Sequence, residues 1–242
     1  MQELAGQFAL VSGGGTGIGL ACARALKAAG AHVTIMGRRA GPLEAAVARG
    51  EADAALAGDA TAPPPLPPVT ILVNAAGAAV SAPFLKTTDA DFRAALDANL
   101  MSAVALTRAA LPHMLAKGHG RIINIASTAA LKGYAYVVPY VAAKHALLGF
   151  TRALALEVAA KGVTVNAICP GFTETPLLAE SIALIGAKTG LDDAAARAEL
   201  AKHNPQGRLL QPGEIAALTV FLCTSAACGI HGAALPVSGG EV

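Results

Sequence analysis

Seven short apolar runs punctuate the chain, at 8–11, 32–36, 54–57, 70–74, 121–126, 164–168 and 234–237, and each has the length and side-chain character of a strand. Most lack the strict apolar–polar alternation of a half-exposed strand, as a sheet covered on both faces requires. Longer Ala- and Leu-rich stretches separate most of them. One runs from a glycine-rich loop to near Gly30; another spans 140–157, with Pro139 placed where a first helical turn tolerates its missing N–H. Strands alternating with helices, and no linker dividing them, predict a single α/β domain over 1–242 with a doubly wound parallel sheet. The run Pro63-Pro64-Pro65-Leu66-Pro67-Pro68 interrupts this rhythm. Prolines cannot continue a helix interior, so between Asp59 and Asn74 the pattern predicts a stiff extended connection, or sheet left for a partner subunit to cover.

The segment Ser12-Gly13-Gly14-Gly15-Thr16-Gly17-Ile18-Gly19 follows the first apolar run and opens a helix. Strand, glycine turn and helix together suit a dinucleotide: glycines let the backbone approach the pyrophosphate, whose charge meets the helix N-terminus. Taken alone, such a loop also fits a plain turn. Tyr140 and Lys144, four apart, share one helix face, where an ammonium beside a phenol favours the phenolate and implies proton exchange with a substrate oxygen. The same spacing also occurs in exposed pairs. Ser127, just past a strand, and Asn99, in a helical stretch, fit local capping or bending as well as catalysis.

In order along the chain, Gly13-x-x-x-Gly17-Ile18-Gly19, Asn74-Ala75-Ala76-Gly77, Asn99, Ser127, Tyr140-x-x-x-Lys144 and Pro170-Gly171 resemble the short-chain dehydrogenase/reductase family over essentially the whole sequence. The resemblance implies a Rossmann-like sheet of about seven strands in the order 3-2-1-4-5-6-7. It also implies catalysis by Asn99, Ser127, Tyr140 and Lys144, in which Ser127 and Tyr140 bind the carbonyl oxygen, Tyr140 exchanges the proton, and Lys144 and Asn99 order the coenzyme ribose and a water chain. Coenzyme contacts are expected at Gly13, Gly15, Thr16, Gly17, Ile18 and Gly19, at Asp59 and Ala60 beside the adenine, and at Asn74, Ala75, Ala76 and Gly77. Tyr140, Lys144, Pro170, Gly171, Thr173 and Thr175 are expected on the nicotinamide side. After the second strand Gly37 stands where NAD sites commonly carry an acid, and Arg38, helped by Arg39, suits a 2′-phosphate, so NADP(H) is expected with NAD as the alternative.

The motifs near Ser127, Tyr140 and Pro170 look like those of polyketide ketoreductases and 3-hydroxyacyl-thioester dehydrogenases, which suggests a ketone or 3-oxoacyl thioester as substrate. Residues 177–206 are expected to form a lid, whose Lys188, Arg197 and Lys202 can meet a phosphate-bearing carrier arm or simply be solvated. An NAD-dependent catabolic alcohol or 3-hydroxyacyl-CoA dehydrogenase is an alternative, and a nonenzymatic NADP(H)-binding regulator is a rival of another class. Family members often pair their central helices, so a homo-oligomer, a tetramer above all, is expected.

Composition narrows the remaining classes. With 54% hydrophobic and 14% charged residues in 242, the chain is rich in apolar surface to hide. A net charge of +2, without basic runs interleaved with aromatics, gives no footing for nucleic acid. The stretch 215–240 has no Asp, Glu, Lys or Arg but is broken by Gly and Pro, and reads as a buried helix and strand rather than a membrane span. Met1-Gln2-Glu3 shows no leader, so a cytoplasmic protein is expected. Cys22, Cys169, Cys223 and Cys228, without metal-ligand spacing, are expected as buried reduced thiols, and no metal site is expected.

Overall fold

A computed structural model describes residues 3–242, the side chain of Ile185 excepted, so the reading of Met1 and Gln2 falls outside the described residues. The strands are β1 (Phe8–Ser12), β2 (His32–Gly37), β3 (Ala54–Ala57), β4 (Ile71–Asn74), β5 (Gly120–Ile125), β6 (Val163–Pro170) and β7 (Ala234–Val237). The helices are α1 (Gly17–Ala28), α2 (Ala40–Ala48), α3 (Asp89–Leu96), α4 (Ser102–Lys117), α5 (Val138–Val158), α6 (Pro176–Thr189), α7 (Asp193–Ala201) and α8 (Pro212–Cys223). All strand pairings are parallel, in one sheet of order β3-β2-β1-β4-β5-β6-β7.

The two sheet faces follow from the period of two along each strand. Ala9 and Val11 of β1, with Ile71 and Val73 of β4 and Ile123 of β5, join Cys22, Leu26, Ile215 and Leu222 of α1 and α8 in one core. The residues between them, Leu10, Leu72 and Ile122, join Leu106 and Met114 of α4 and Val158 of α5 in the other. Burial on both sides explains why β4, β5 and β6 carry no exposed residue and are mostly apolar, with Asn74, Arg121, Asn124, Thr164 and Asn166 as their buried polar members.

No helix stands between β3 and β4 among the described residues; the proline-rich segment crosses there without regular secondary structure, and its Leu66, with Ala60, packs against the core of Leu10 and Met36. The segment itself thus covers sheet that a helix would otherwise cover. In the stretch 215–240, a helix, a short 3₁₀ turn and β7 follow one another, and no helix among the described residues is long and apolar enough to cross a membrane. Cys228 departs from expectation: it lies just past the 3₁₀ turn Ser225–Ala227 and is exposed, whereas Cys22, Cys169 and Cys223 are buried.

Candidate active site

The carboxyl ends of β1, β2 and β4 and the opening turn of α5 surround a cleft of about 860 Å³. At one end the glycine loop turns from β1 into α1. A methyl group on Gly13 would stand 2.9 Å from the Ala75 carbonyl oxygen at φ +64°, and one on Gly19 would overlap the Gly13 carbonyl. Backbone fills the space where side chains would be. Thr16, the N-cap of α1, makes no side-chain cap bond, and the first turn carries no acid. The free N–H groups and positive helix end therefore face the cleft ready for an anion.

Beyond the loop, Arg38 and Arg39 follow β2, line the cleft and are exposed; among the described residues neither engages a carboxylate within 4.0 Å. Asp59 faces them. Its Oδ1 accepts from the Thr61 N–H and hydroxyl, both at 2.9 Å, and these bonds, with the charge of Arg38, hold its carboxyl below the usual aspartate range.

The other end belongs to α5 and the loop after β5. Tyr140 and Lys144 lie in the opening turns of α5, with Pro139 in the first, while Ser127 begins the 3₁₀ turn Thr128–Ala130 and accepts from the Ala129 N–H at 3.1 Å. Lys144 is buried and donates to the Ile125 carbonyl at 2.9 Å, its Nζ lying 5.6 Å from the Tyr140 ring centroid. Burial pulls the Lys144 ammonium down to about 8. Burial pushes the Tyr140 phenol above its ordinary value, opposed by the Ser127 hydroxyl. Before a substrate or coenzyme is bound, the influence of Lys144 on Tyr140 is offset by burial. The ammonium sits over the ring and bonds a carbonyl, desolvation prevails at the hydroxyl, and the opposing influence comes from Ser127.

Asn99 occupies a five-residue π-helical segment, Asp97–Met101, between α3 and α4. Its amide donates to the Ala78 carbonyl at 2.8 Å and the Ala95 carbonyl at 2.9 Å, leaving a buried Oδ1 with no partner among the described residues. A methyl on Gly77 would lie 2.7 Å from that oxygen and 3.6 Å from the Lys144 Nζ, so Asn99, Gly77 and Lys144 converge.

The cleft gathers Gly13, Gly15, Thr16, Gly17, Ile18, Gly19, Arg38, Arg39, Asp59, Ala60, Ala75, Ala76, Gly77, Asn99, Tyr140, Lys144 and Thr175. Five predicted residues lie outside its lining. Ser127 begins the 3₁₀ turn after β5 and accepts from the Ala129 N–H. Asn74 is buried, donating to Asn124 at 2.8 Å and Thr107 at 3.3 Å, and so ties β4 to β5 and α4. Pro170 closes β6 opposite Val237 rather than forming a turn, Gly171 abuts Glu241 and Ser238, and Thr173 is buried with its hydroxyl on the Gly171 carbonyl at 2.9 Å. β6 carries the sheet two residues beyond its predicted end.

Sequence reasoning missed Ser12, whose hydroxyl accepts from the Ala75 and Ala76 N–H groups at 3.1 and 3.2 Å and clamps the glycine loop to the end of β4. Its position at the last residue of β1, beside the glycines, was the available signal. Thr61, Asp97, Ser102 and Leu177 also line the cleft and carried no signal in one sequence.

A glycine cradle at a free helix end, an unpaired arginine pair and a Ser–Tyr–Lys constellation on one parallel sheet define a dinucleotide-dependent oxidoreductase of the short-chain type. The family model described as short chain dehydrogenase matches residues 7–186, and the chain belongs to that family. Among its relatives, the D-beta-hydroxybutyrate dehydrogenase of Cupriavidus necator is 39% identical, with 99% of each chain covered. The acetoacetyl-CoA reductase of Shinella zoogloeoides is 36% identical over 97% of this chain and 98% of that one. A structure of an actinorhodin polyketide ketoreductase variant with NADPH superposes with a TM-score of 0.91 at 32% identity, covering 100% and 98% of the two chains.

Proposed function

We propose that the protein reduces a ketone or 3-oxoacyl thioester with NADPH. The observation that carries this reading is the buried Lys144, held by the Ile125 carbonyl with its Nζ 5.6 Å from the Tyr140 ring centroid, at one end of a cleft whose other end presents Arg38 and Arg39 unpaired among the described residues. The acetoacetyl-CoA reductase and the NADPH-bound ketoreductase among the similar proteins support the same substrate and coenzyme classes.

The residues present fit the coenzyme. Gly13 and Gly19 leave no room for side chains where backbone must approach the pyrophosphate, and the first turn of α1 offers its N–H groups. Arg38 and Arg39 offer donors to a 2′-phosphate. When bound, the coenzyme supplies the hydride to the carbonyl carbon. As charge grows on the carbonyl oxygen, the Ser127 hydroxyl donates a hydrogen bond to it and Tyr140 delivers its proton. Burial holds the Tyr140 phenol above its ordinary value, in the acid form that gives up a proton during reduction. Lys144, fixed by the Ile125 carbonyl, stabilises the phenolate left behind, and the free Oδ1 of Asn99 accepts from a relay water that restores the proton.

The segment 177–206 serves as a lid. Its α6 and α7 share a small core of Leu178, Ile182 and Ala196 with Phe172, Leu200 and Leu209, apart from the two sheet cores. Arg197 of α7 grips Glu174 at 2.6 Å and Asp193 at 2.7 Å, and Lys202 pairs with Glu199, so among the three lid cations only Lys188 makes no ion pair with described residues. A carrier phosphate thus finds little free charge there. A cytoplasmic homo-oligomer, with the tetramer as the first state to test, accords with the family and the apolar composition.

The test is carbonyl-dependent loss of NADPH absorbance across ketones, acetoacetyl thioesters and longer 3-oxoacyl thioesters. Arg38→Ala weakens NADPH binding by about tenfold to 200-fold, the range of a charge-assisted bond, and leaves NADH binding unchanged. Equal use of NADH by the wild type, with no effect of the substitution, refutes the coenzyme assignment. In the pH profile of kcat/KM for NADPH, which reports the free protein, activity falls above about 8 as Lys144 loses its charge, because Tyr140 is still protonated there. A profile flat to pH 10 removes this role from Lys144.

A further inference from the structure

Glu241, on the turn after β7, is the most buried carboxylate beside the active site. Its side chain is 2% exposed, and its Oε1 accepts from the Tyr134 hydroxyl and lies 3.0 Å from the Lys132 ammonium and 3.8 Å from the His203 ring Nδ1. Its Oε2 is buried without a partner among the described residues and faces Gly171, where a methyl group would stand 3.0 Å away. A buried carboxylate is costly to keep, and one with an idle oxygen calls for a reason beyond stability.

The contacts lead to Ser127. Because the single Tyr134 proton goes to Glu241, the Tyr134 oxygen accepts from the Thr128 hydroxyl, 2.5 Å away, and Thr128 is the neighbour of Ser127 in the 3₁₀ turn. The Tyr134 ring packs edge-on against Phe172 and His203, at centroid distances of 6.0 and 5.9 Å, and His203 lies at the end of the lid segment. Gly239 and Gly240, at φ +64° and +97°, fold the chain tightly enough to bring Glu241 there, and a methyl on Gly239 would overlap the Asn204 side chain. One carboxylate therefore joins the turn bearing Ser127, the loop after β6 and the end of the lid.

We propose that Glu241 is a positioning residue for carbonyl reduction: through Tyr134 and Thr128 it sets the turn that presents Ser127, and through His203 it holds the lid end against that turn. This rests on the reductase reading above. The chain of bonds places the Ser127 hydroxyl where the developing oxyanion will be, and a small displacement of such a donor is expensive in rate.

The experiment compares the wild type with Glu241→Gln, Glu241→Ala, Tyr134→Phe and the double variant Glu241→Ala/Tyr134→Phe. Each is read by kcat, by NADPH affinity from fluorescence titration, and by the isotope effect with 4-deuterated NADPH. Glu241→Ala and Tyr134→Phe each lower kcat about tenfold to 100-fold and raise the isotope effect, with NADPH affinity unchanged, because the coenzyme cradle shares none of these residues. The double variant is no slower than the worse single one, as expected of links in series. Glu241→Gln, which keeps an acceptor for Tyr134, recovers most of kcat. Tyr134→Phe keeps the ring packing, so it decides the matter if Glu241→Ala does not fold. Wild-type kcat in Tyr134→Phe, or parallel losses of kcat and NADPH affinity, overturns the positioning role alone. A wild type with no carbonyl-dependent turnover removes the reductase reading and this role with it.

Discussion

Tyr140→Phe lowers carbonyl-dependent NADPH oxidation by about 10²-fold to 10⁴-fold, the range of a lost general acid, while NADPH still binds and the fold is kept. The Tyr140 phenol lines the cleft beside Lys144 with a proton to give. No hydrogen bond within the described residues hangs on the hydroxyl at 3.5 Å or less, so thermal stability changes little. Initial rates with saturating NADPH and the best carbonyl of the panel give the answer. A variant retaining a tenth or more of the wild-type kcat ends the proton-transfer role and leaves Ser127 and bound water to explain the chemistry.

Gly19→Ala has a comparable effect on binding rather than on chemistry. The added methyl overlaps the Gly13 carbonyl, and Gly13 cannot retreat because it already lies against the Ala75 backbone at φ +64°. The loop must shift, costing about 1–3 kcal/mol in overpacking and opening the cradle that meets the pyrophosphate. NADPH affinity falls about 100-fold or more and the melting temperature drops. Gly41→Ala is the control, since nothing lies within 4 Å of its methyl, φ is not positive, and the site is in α2, where Ala favours the helix by about 0.5–1 kcal/mol. Differential scanning fluorimetry with and without NADPH separates the two effects: unchanged ligand-induced stabilisation in Gly19→Ala contradicts the cradle.

Much of this was legible because strands and cofactor loops leave local traces. The apolar runs at 54–57 and 234–237 became β3 and β7 at the residues expected, and the proline run excluded a helix between β3 and β4, since proline lacks the N–H that a helix interior needs. Misjudged features depended on surroundings. Cys228 sits in an apolar stretch yet is exposed, because the 3₁₀ turn after α8 carries it outward. Asn74 is tied by its surroundings too: its amide donates to Asn124, which in turn donates to Thr151 at 2.8 Å. A spacing of four between Tyr140 and Lys144 gave the shared helix face but not the sign of the phenol's shift, which burial sets.

The amino-acid order by itself determined the sequence of elements, the glycine loop and the arginines at the end of β2, because each is encoded in periodicity or in residue type at short spacing, and it pointed to the quartet only through the resemblance of its ordered motifs to a family. Only the tertiary structure decided that Lys144 bonds a β5 carbonyl, that Asn99 keeps an unpaired oxygen in a π-helical segment, and that Glu241 meets Tyr134 across 107 positions of chain. Those outcomes depend on which surfaces are brought together and how completely water is removed from them, and neither quantity is fixed until the sheet, its helices and its turns have packed.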